Sequence, residues 1–378
     1  MPTMPGSNEI RIESGAVIAY RLFDIAYAID LPKVEALWAR QAKASTRARL
    51  TATPPKAMAF GVPPVALALE PIEISLPDRP VQASVTARLY DFGAVTLALR
   101  VPVRDMAWSG FSRLTNDFDA AVGTEGEAPV WRRLLAGVRA TVAEALIRPT
   151  SQAIEEDFLA AVVFAFDAPL TATELLQRAD LVPLLSGEQR PLSEASRTEL
   201  LRQRFSYYTD DLTVLTWDRA FVCEPRGETD VLEVLEVANA QLLEMRYYDE
   251  LLDAELPRMY DLVEGARRLR PLFAARRTAN LARRFYALVA EVTELTERVD
   301  NALQVTEDVY LARIYAAALE LFRVRPVTAA VERKLAIIRD TYTALYEESS
   351  GGRAELMEFT IVVLILLELL AALTRHGT

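Results

Sequence analysis

DVLEVLEVANAQLLEMRYYDELLDAELPRMYDLVEGA, residues 230–266, is the stretch on which the reading of this chain turns. Apolar residues recur in it at alternating steps of three and four: Leu235, Ala238, Leu242, Met245, Leu252, Leu256, Met259, Val263 and Ala266. Asp249 alone breaks the series. A second series, Leu281, Phe285, Leu288, Val292, Leu295, Val299 and Ala302, has no break. A repeat of about 3.5 residues held this long marks helices that pack along a coiled-coil seam. Residues 270–277 form a turn-length connection, so the two seams are expected to close on each other as an antiparallel hairpin. Dimerisation through the same seam is the competing arrangement, because heptads do not reveal their partner.

No glycine or proline lies between Thr278 and Arg325. The second helix therefore runs on to Phe322 or breaks near Thr306. Pro326 opens a third helix with Val331, Leu335, Ile338, Tyr342 and Leu345 at steps of four and three. Ser349 to Gly352 is a flexible joint. After it comes FTIVVLILL, residues 359–367. Phe359, Ile361, Val362, Val363, Leu364, Ile365, Leu366 and Leu367 make the segment 356–373 long and apolar enough to predict a membrane span, against the cost of Glu368. A helix buried in the bundle or between chains is the alternative.

Upstream, the patterns alternate between strand and helix. Ala16 to Asp30 is rich in Val, Ile, Tyr and Phe and reads as a strand. Val65 to Leu76 is a strand, and Val85 to Val103 a hairpin bending at Asp91 to Gly93. Met106 to Ala120 and Val130 to Ile147 are helical by apolar spacing. The order then recurs: strand Phe158 to Phe166, helix Thr171 to Ala179 with capping-box spacing to Glu174, helix Ser193 to Arg204. A second hairpin, Phe205 to Cys223, is expected to turn at Asp210–Asp211. The fold class is thus α+β: residues 1–228 as two split β-α-β-like units (1–150 and 151–228), 229–350 as helical hairpin plus third helix, and 353–375 as an apolar helix.

With 378 residues the chain exceeds one ordinary core, and its net charge of −11 argues against whole-surface binding to nucleic acid. One cysteine, Cys223, excludes an internal disulfide, and one histidine, His376, argues against His-based triads and metal clusters. Met1 to Gly15 lacks the features of a signal peptide. No catalytic residue, metal site, cofactor or small-molecule partner is identifiable.

The sharpest charge feature is a set of seven arginines within 18 residues: Arg267, Arg268, Arg270, Arg276, Arg277, Arg283 and Arg284. No acid lies between Glu264 and Glu291. At a hairpin tip they would bind RNA, a ribosome or anionic lipid, since guanidinium forks suit phosphate; a solvated turn paired to Asp261, Glu264 and Glu291 is the plainer reading. Around the seam break, Arg246, Tyr247, Tyr248 and Asp249 are expected to set register, with Arg298 and Asn301 as partners of Asp249.

Tyr207–Tyr208 with Asp211–Leu212 and Trp217–Asp218, Arg246–Tyr247–Tyr248–Asp249, Glu294–Leu295 with Asn301, and Arg333–Lys334–Leu335 before an apolar end holding Glu368 stand in an order that resembles the "required for meiotic nuclear division" or YagE-like family. The resemblance covers roughly Phe205 to Leu373. It departs where that family has an early tryptophan in the third helix, here Pro326–Val327–Thr328. The resemblance implies an α+β front, a C-terminal membrane segment and no catalytic residues; eukaryotic relatives support mitochondrial translation by assembling or tethering.

The functional expectation is a non-enzymatic, membrane-tethered, self-associating assembly or scaffold protein. Its place would be the inner membrane with cytoplasmic bulk if the source is bacterial, or the cytoplasm as the alternative. Two other readings stand beside it. One is a small-ligand-binding or enzymatic α+β module with a cleft between its two units, near Asp210, Asp211 and Trp217. The other is a soluble structural oligomer.

Overall fold

The computed structural model describes residues 9–41, 62–123, 129–150, 154–188, 190–227, 229–267, 280, 283, 285–287, 289–290, 292–293, 308–341 and 343–344. The protein is α+β, with a large mixed sheet in its N-terminal part and helices in its C-terminal part. It divides into two compact units, Met1–Tyr247 with Arg298–Arg325 and Tyr248–Glu297 with Pro326–Thr378.

In chain order the elements begin β1 (Arg11–Asp24), β2 (Ala26–Ile29), α1 (Leu31–Gln41), β3 (Val65–Ser75), β4 (Pro80–Leu89) and β5 (Ala94–Ala107). There follow α2 (Trp108–Val122), α3 (Pro129–Val142), β6 (Leu146–Pro149), β7 (Glu155–Phe166), α4 (Ala172–Arg178), α5 (Val182–Ser186) and α6 (Glu194–Leu200). β8 (Arg204–Phe205), β9 (Leu212–Leu215), β10 (Arg219–Cys223), α7 (Asp230–Arg267) and α8 (Val309–Leu321) follow, and residues 324–341 are helical as well.

The first unit is organised on β1. Its run of Ala16, Val17, Ile18, Ala19 and Tyr20 is apolar at consecutive positions, so both faces must be covered, and all five are buried. It pairs antiparallel with β5 on one side and β7 on the other. The whole sheet has eight strands in the order β3-β4-β5-β1-β7-β10-β9-β8, with β10 parallel to β7. Strands from both expected halves therefore lie side by side in one sheet. β2 and β6 form a separate two-stranded ribbon.

Helices α2 and α3 cover one face. Trp108, Phe111, Phe118 and Val122 recur at helical spacing on α2, as do Trp131, Leu135, Val138 and Val142 on α3. They join Val17, Ala19, Leu97, Leu99, Leu159, Ala161 and Phe221 of the sheet in one core. The start of α7 and α8 also dock on this unit. Tyr90 Oη donates to Glu236 at 2.7 Å, Arg88 pairs with the same carboxylate at 3.0 Å, and Phe322 meets Phe158 edge-on.

The expected seam is buried: Leu235, Ala238, Leu242, Met245, Leu252 and Met259 are all inside. The first turns of α7 are nevertheless not one side of a coiled coil. Leu232, Val234, Val237 and Leu243 lie off the seam and are buried as well, so this stretch is a core helix covered nearly all round. Only beyond Tyr248 does burial narrow to one stripe, with Asp253, Ala254, Arg258 and Tyr260 exposed. There Asp249 does find a partner, but it is Lys334, whose Nζ lies 2.6 Å from both Asp249 and Asp253. Arg298 and Asn301 lie outside the described residues. α8 starts anew: Asp308 is extended, and its carboxylate accepts from the N–H groups of Tyr310 and Leu311. A helix unbroken from Thr278 to Phe322 is therefore ruled out at Asp308.

The second hairpin turns later than expected. β9 and β10 are joined at Thr216–Asp218, where the Thr216 hydroxyl accepts from the Arg219 N–H at 3.0 Å. Asp211 instead ties the approach to β9, its carboxylate accepting from the N–H groups of Tyr207 and Tyr208.

The membrane expectation is corrected. Among the described residues no helix is long and apolar enough to cross a membrane. α7 has the length but carries charge throughout, and α8 has only 13 residues against the roughly 20 a span needs. Phe359, Ile361, Val362, Val363, Leu364, Ile365, Leu366 and Leu367 lie outside the described residues. The anchored partnership and the inner-membrane placement that rested on them are withdrawn.

Candidate functional site

The first unit carries a cleft of about 510 Å³ at the N-terminal ends of the parallel pair β7 and β10. Its floor is Ala19 to Arg21 of β1 and Asp157 to Leu159 of β7. Arg21 and Asp157 stand directly opposite each other in the strand register. One wall is Asn116 to Gly123 at the end of α2, with the Trp131 indole beside it. The other is the β9–β10 turn, Trp217 to Arg219, and the rim is Ser186 to Glu188.

The turn places Trp217 outward. Its side chain is 72% exposed, against 3% for Trp131. Arg219 is the bracket. Its Nη1 donates to Asn116 Oδ1 at 2.8 Å and to the Leu184 carbonyl at 2.9 Å, and its Nη2 donates to Asp119. One guanidinium thereby joins α2, α5 and β10. Gly187 accommodates it: the glycine has φ +68°, and a Cβ there would stand 2.5 Å from Arg219 Nη2. Gly187→Ala combines left-handed strain with that clash and is expected to cost about 2 kcal/mol, read as a lower urea midpoint at unchanged slope.

Arg21 is in the opposite condition. It is 3% exposed, its Nε is buried with no hydrogen-bond partner, and its Nη1 reaches only Glu155, at 3.6 Å. Its guanidinium lies over the Trp131 ring at 5.7 Å. Buried donors left unmade are costly, and native proteins rarely keep them without a reason.

The carboxylates feel one another. Burial pushes Asp157 up from the usual carboxylate range, while Arg21 pulls it down and Asp119 pushes it further up. Asp218 is raised by burial, against the pull of Arg219 and of the Thr216 hydroxyl bond, and Asp119 again adds to the rise. Raised acids can hold or release a proton nearer neutrality, which is useful for acid–base work as well as for binding. Among the described residues no group of three or more His, Cys, Asp or Glu side chains is placed to hold a metal ion. A shallower cleft of about 490 Å³ shares Asn116, Ser186 and Glu188 with the first and continues past the Arg197–Asp180 pair.

Of the residues singled out from the sequence, only Trp217 of the cleft trio lines this site; Asp210 and Asp211 do not. Arg246 pairs with Glu156 at 2.6 Å, Tyr248 is fully buried, and Tyr247 is half-buried; all three belong to packing around α7. Cys223 is a core thiol, pushed up to about 12 by burial. Arg267 closes α7, and Arg283 donates to Asn280 at 2.6 Å. Arg268, Arg270, Arg276, Arg277 and Arg284 lie outside the described residues. Sequence reading missed Arg21, Asp119, Asp157 and Arg219. The one signal for Arg21 was a charged residue inside the apolar run Ala16 to Phe23.

Every residue of the cleft falls within residues 14–230, which match the family model described as "Uncharacterized protein MJ0711, N-terminal domain". The chain belongs to this family. Uncharacterized protein MJ0711 of Methanocaldococcus jannaschii is 26% identical over 196 residues, 52% of this chain and 59% of that protein. The chain thus spans about three fifths of the length of this curated relative. No solved structure matches. The match overturns the YagE-like resemblance read from the C-terminal half: the shared MJ0711 domain is the N-terminal sheet unit, and nothing found supports the other family. Of the short motifs behind that resemblance, Tyr248 is buried and Lys334 pairs with Asp249 and Asp253, whereas Tyr207, Tyr208 and Trp217 are exposed.

Proposed function

We propose that the MJ0711-type domain of this chain is a module that binds a small polar ligand in the cleft between α2 and the β9–β10 turn. The observation that supports it is the buried Arg21 guanidinium, without a hydrogen bond to its Nε, lining a cleft of about 510 Å³. Small-molecule sites are concave, of this size, and carry a few convergent polar groups with perturbed acids. The tethering reading has no comparable support, since the arginines on which it rested lie largely outside the described residues.

The test uses Trp217 as reporter. The full chain is titrated with sugars, carboxylic acids, amines and amino acids while indole emission is followed. A ligand in the cleft is expected to shift or quench emission in the wild type and to do so less in Trp217→Phe, where the Trp131 indole still lines the cleft. If no class of compound changes emission or melting temperature, the proposal is wrong.

A further inference from the structure

The charges in the cleft narrow the ligand class; this inference rests on the ligand-site reading above. Two guanidiniums and four carboxylates line it: Arg21, Arg219, Asp119, Asp157, Asp218 and Glu188. Arg219 and Asp119 are committed to each other, and Arg219 also holds Asn116 and the Leu184 carbonyl. Asp218 is engaged by the Thr216 hydroxyl at 3.0 Å. That leaves the buried Arg21 and the half-buried Asp157 as the two charges with bonding capacity to spare.

Those two are not independent. They face each other across β1 and β7, and directly opposed residues on one sheet face have Cβ atoms about 5 Å apart. A site with a buried cation and a half-buried anion at that spacing is complemented by a ligand carrying the reverse pair equally close together. We propose that the cleft takes a small zwitterion of the α-amino-acid type, its carboxylate on Arg21 and its ammonium on Asp157. The Trp217 indole at the open side covers the side chain.

Simpler ligands leave a cost. A plain anion would satisfy Arg21 but sit among carboxylates whose field is already repulsive. A plain cation would satisfy Asp157 and leave the buried Arg21 donors unmade. A neutral polyol would fill hydrogen bonds without neutralising either charge. An α-amino acid supplies a bidentate acceptor for the guanidinium fork and three N–H donors for the carboxylate, with one carbon between them.

The experiment compares, on the full wild-type chain, each proteinogenic L-amino acid with its decarboxylated amine and its deaminated acid, by calorimetry and Trp217 emission. At least one amino acid is expected to bind at least tenfold more tightly than either truncated analogue. Arg21→Met and Asp157→Asn are each expected to weaken that binding at least tenfold, and Arg21→Lys less than Arg21→Met; circular dichroism establishes which variants are folded. Because the analogue series uses the wild type, a variant that fails to fold does not remove the test. An amine or acid that binds as tightly as its parent amino acid overturns the zwitterion and leaves the cleft reading intact, as does a Trp217-dependent response to sugars alone. Silence from every compound overturns both.

Discussion

Arg219→Met is expected to lower stability by about 3 kcal/mol, the largest single loss among the cleft residues. Arg219 is 7% exposed, and its guanidinium holds Asn116, Asp119 and the Leu184 carbonyl at once. Removing one partner of a buried ion pair typically costs about 3–5 kcal/mol, because the other charge is stranded. Here the low end applies, since the side chains of Asp119 and Asp218 keep about a third of their surface in water, 32% and 30%. Methionine matches the volume, so the loss reports the bonds and not a cavity. Arg219→Lys keeps the charge but not the planar fork and should recover only part of the loss. Urea denaturation of the three proteins measures this. An Arg219→Met protein within 1 kcal/mol of wild type would mean that α2, α5 and β10 are held by apolar packing alone.

Asp24→Asn is expected to act in the other direction, and only above mildly acidic pH. Asp24 ends β1, is 2% exposed, and has an Oδ2 without a hydrogen-bond partner. Burial pushes its carboxyl up to about 7, against the pulls of the Ala26 N–H and of Arg139. The unfolded chain releases this proton near 3.9, so between about pH 4 and pH 7 the folded state binds more protons than the unfolded one. Stability then falls as pH rises through that window. A shift of this size is linked to about 4 kcal/mol. Asparagine keeps the Oδ1 acceptor and never ionises. Asp24→Asn should therefore be nearly neutral at pH 4 and more stable than wild type by about 2–4 kcal/mol at pH 8, with a flatter dependence between. Melting temperatures of both proteins across pH 4 to 8 measure it. A difference that does not grow with pH would show that Asp24 titrates in the fold as it does in water.

Much of the architecture was legible along the chain. Thr171 with Glu174 announced a capping box, and the structure contains it with both bonds made. The Val, Ile, Tyr and Phe content of β1 announced a strand, though not that both its faces are covered, and the apolar spacing of α2 and α3 announced helices. These are local signals, written within a few turns or a few residues. The seam of α7 was read correctly as buried, but its meaning was not. Leu232, Val234, Val237 and Leu243 off the seam were the sign that the helix is enclosed, and the sheet that helps enclose it includes β1, β3, β4 and β5, more than a hundred positions earlier in the chain.

The site was least legible. Arg21, Asp119, Asp157 and Arg219 come from two strands, a helix and the foot of a hairpin, and no spacing relates them. Arg21 stands out only by lying inside an apolar run, and each of the others looks alone like an ordinary surface charge. What the sequence settled by itself was element type and burial, because hydrophobic period and capping chemistry act over short stretches of chain. What only the tertiary structure decided was which charges meet: the register that sets Arg21 against Asp157, and the crossover that brings β10 beside β7. Those pairings arise from strand order, and strand order is chosen by the free energy of the whole core and not by any segment within it.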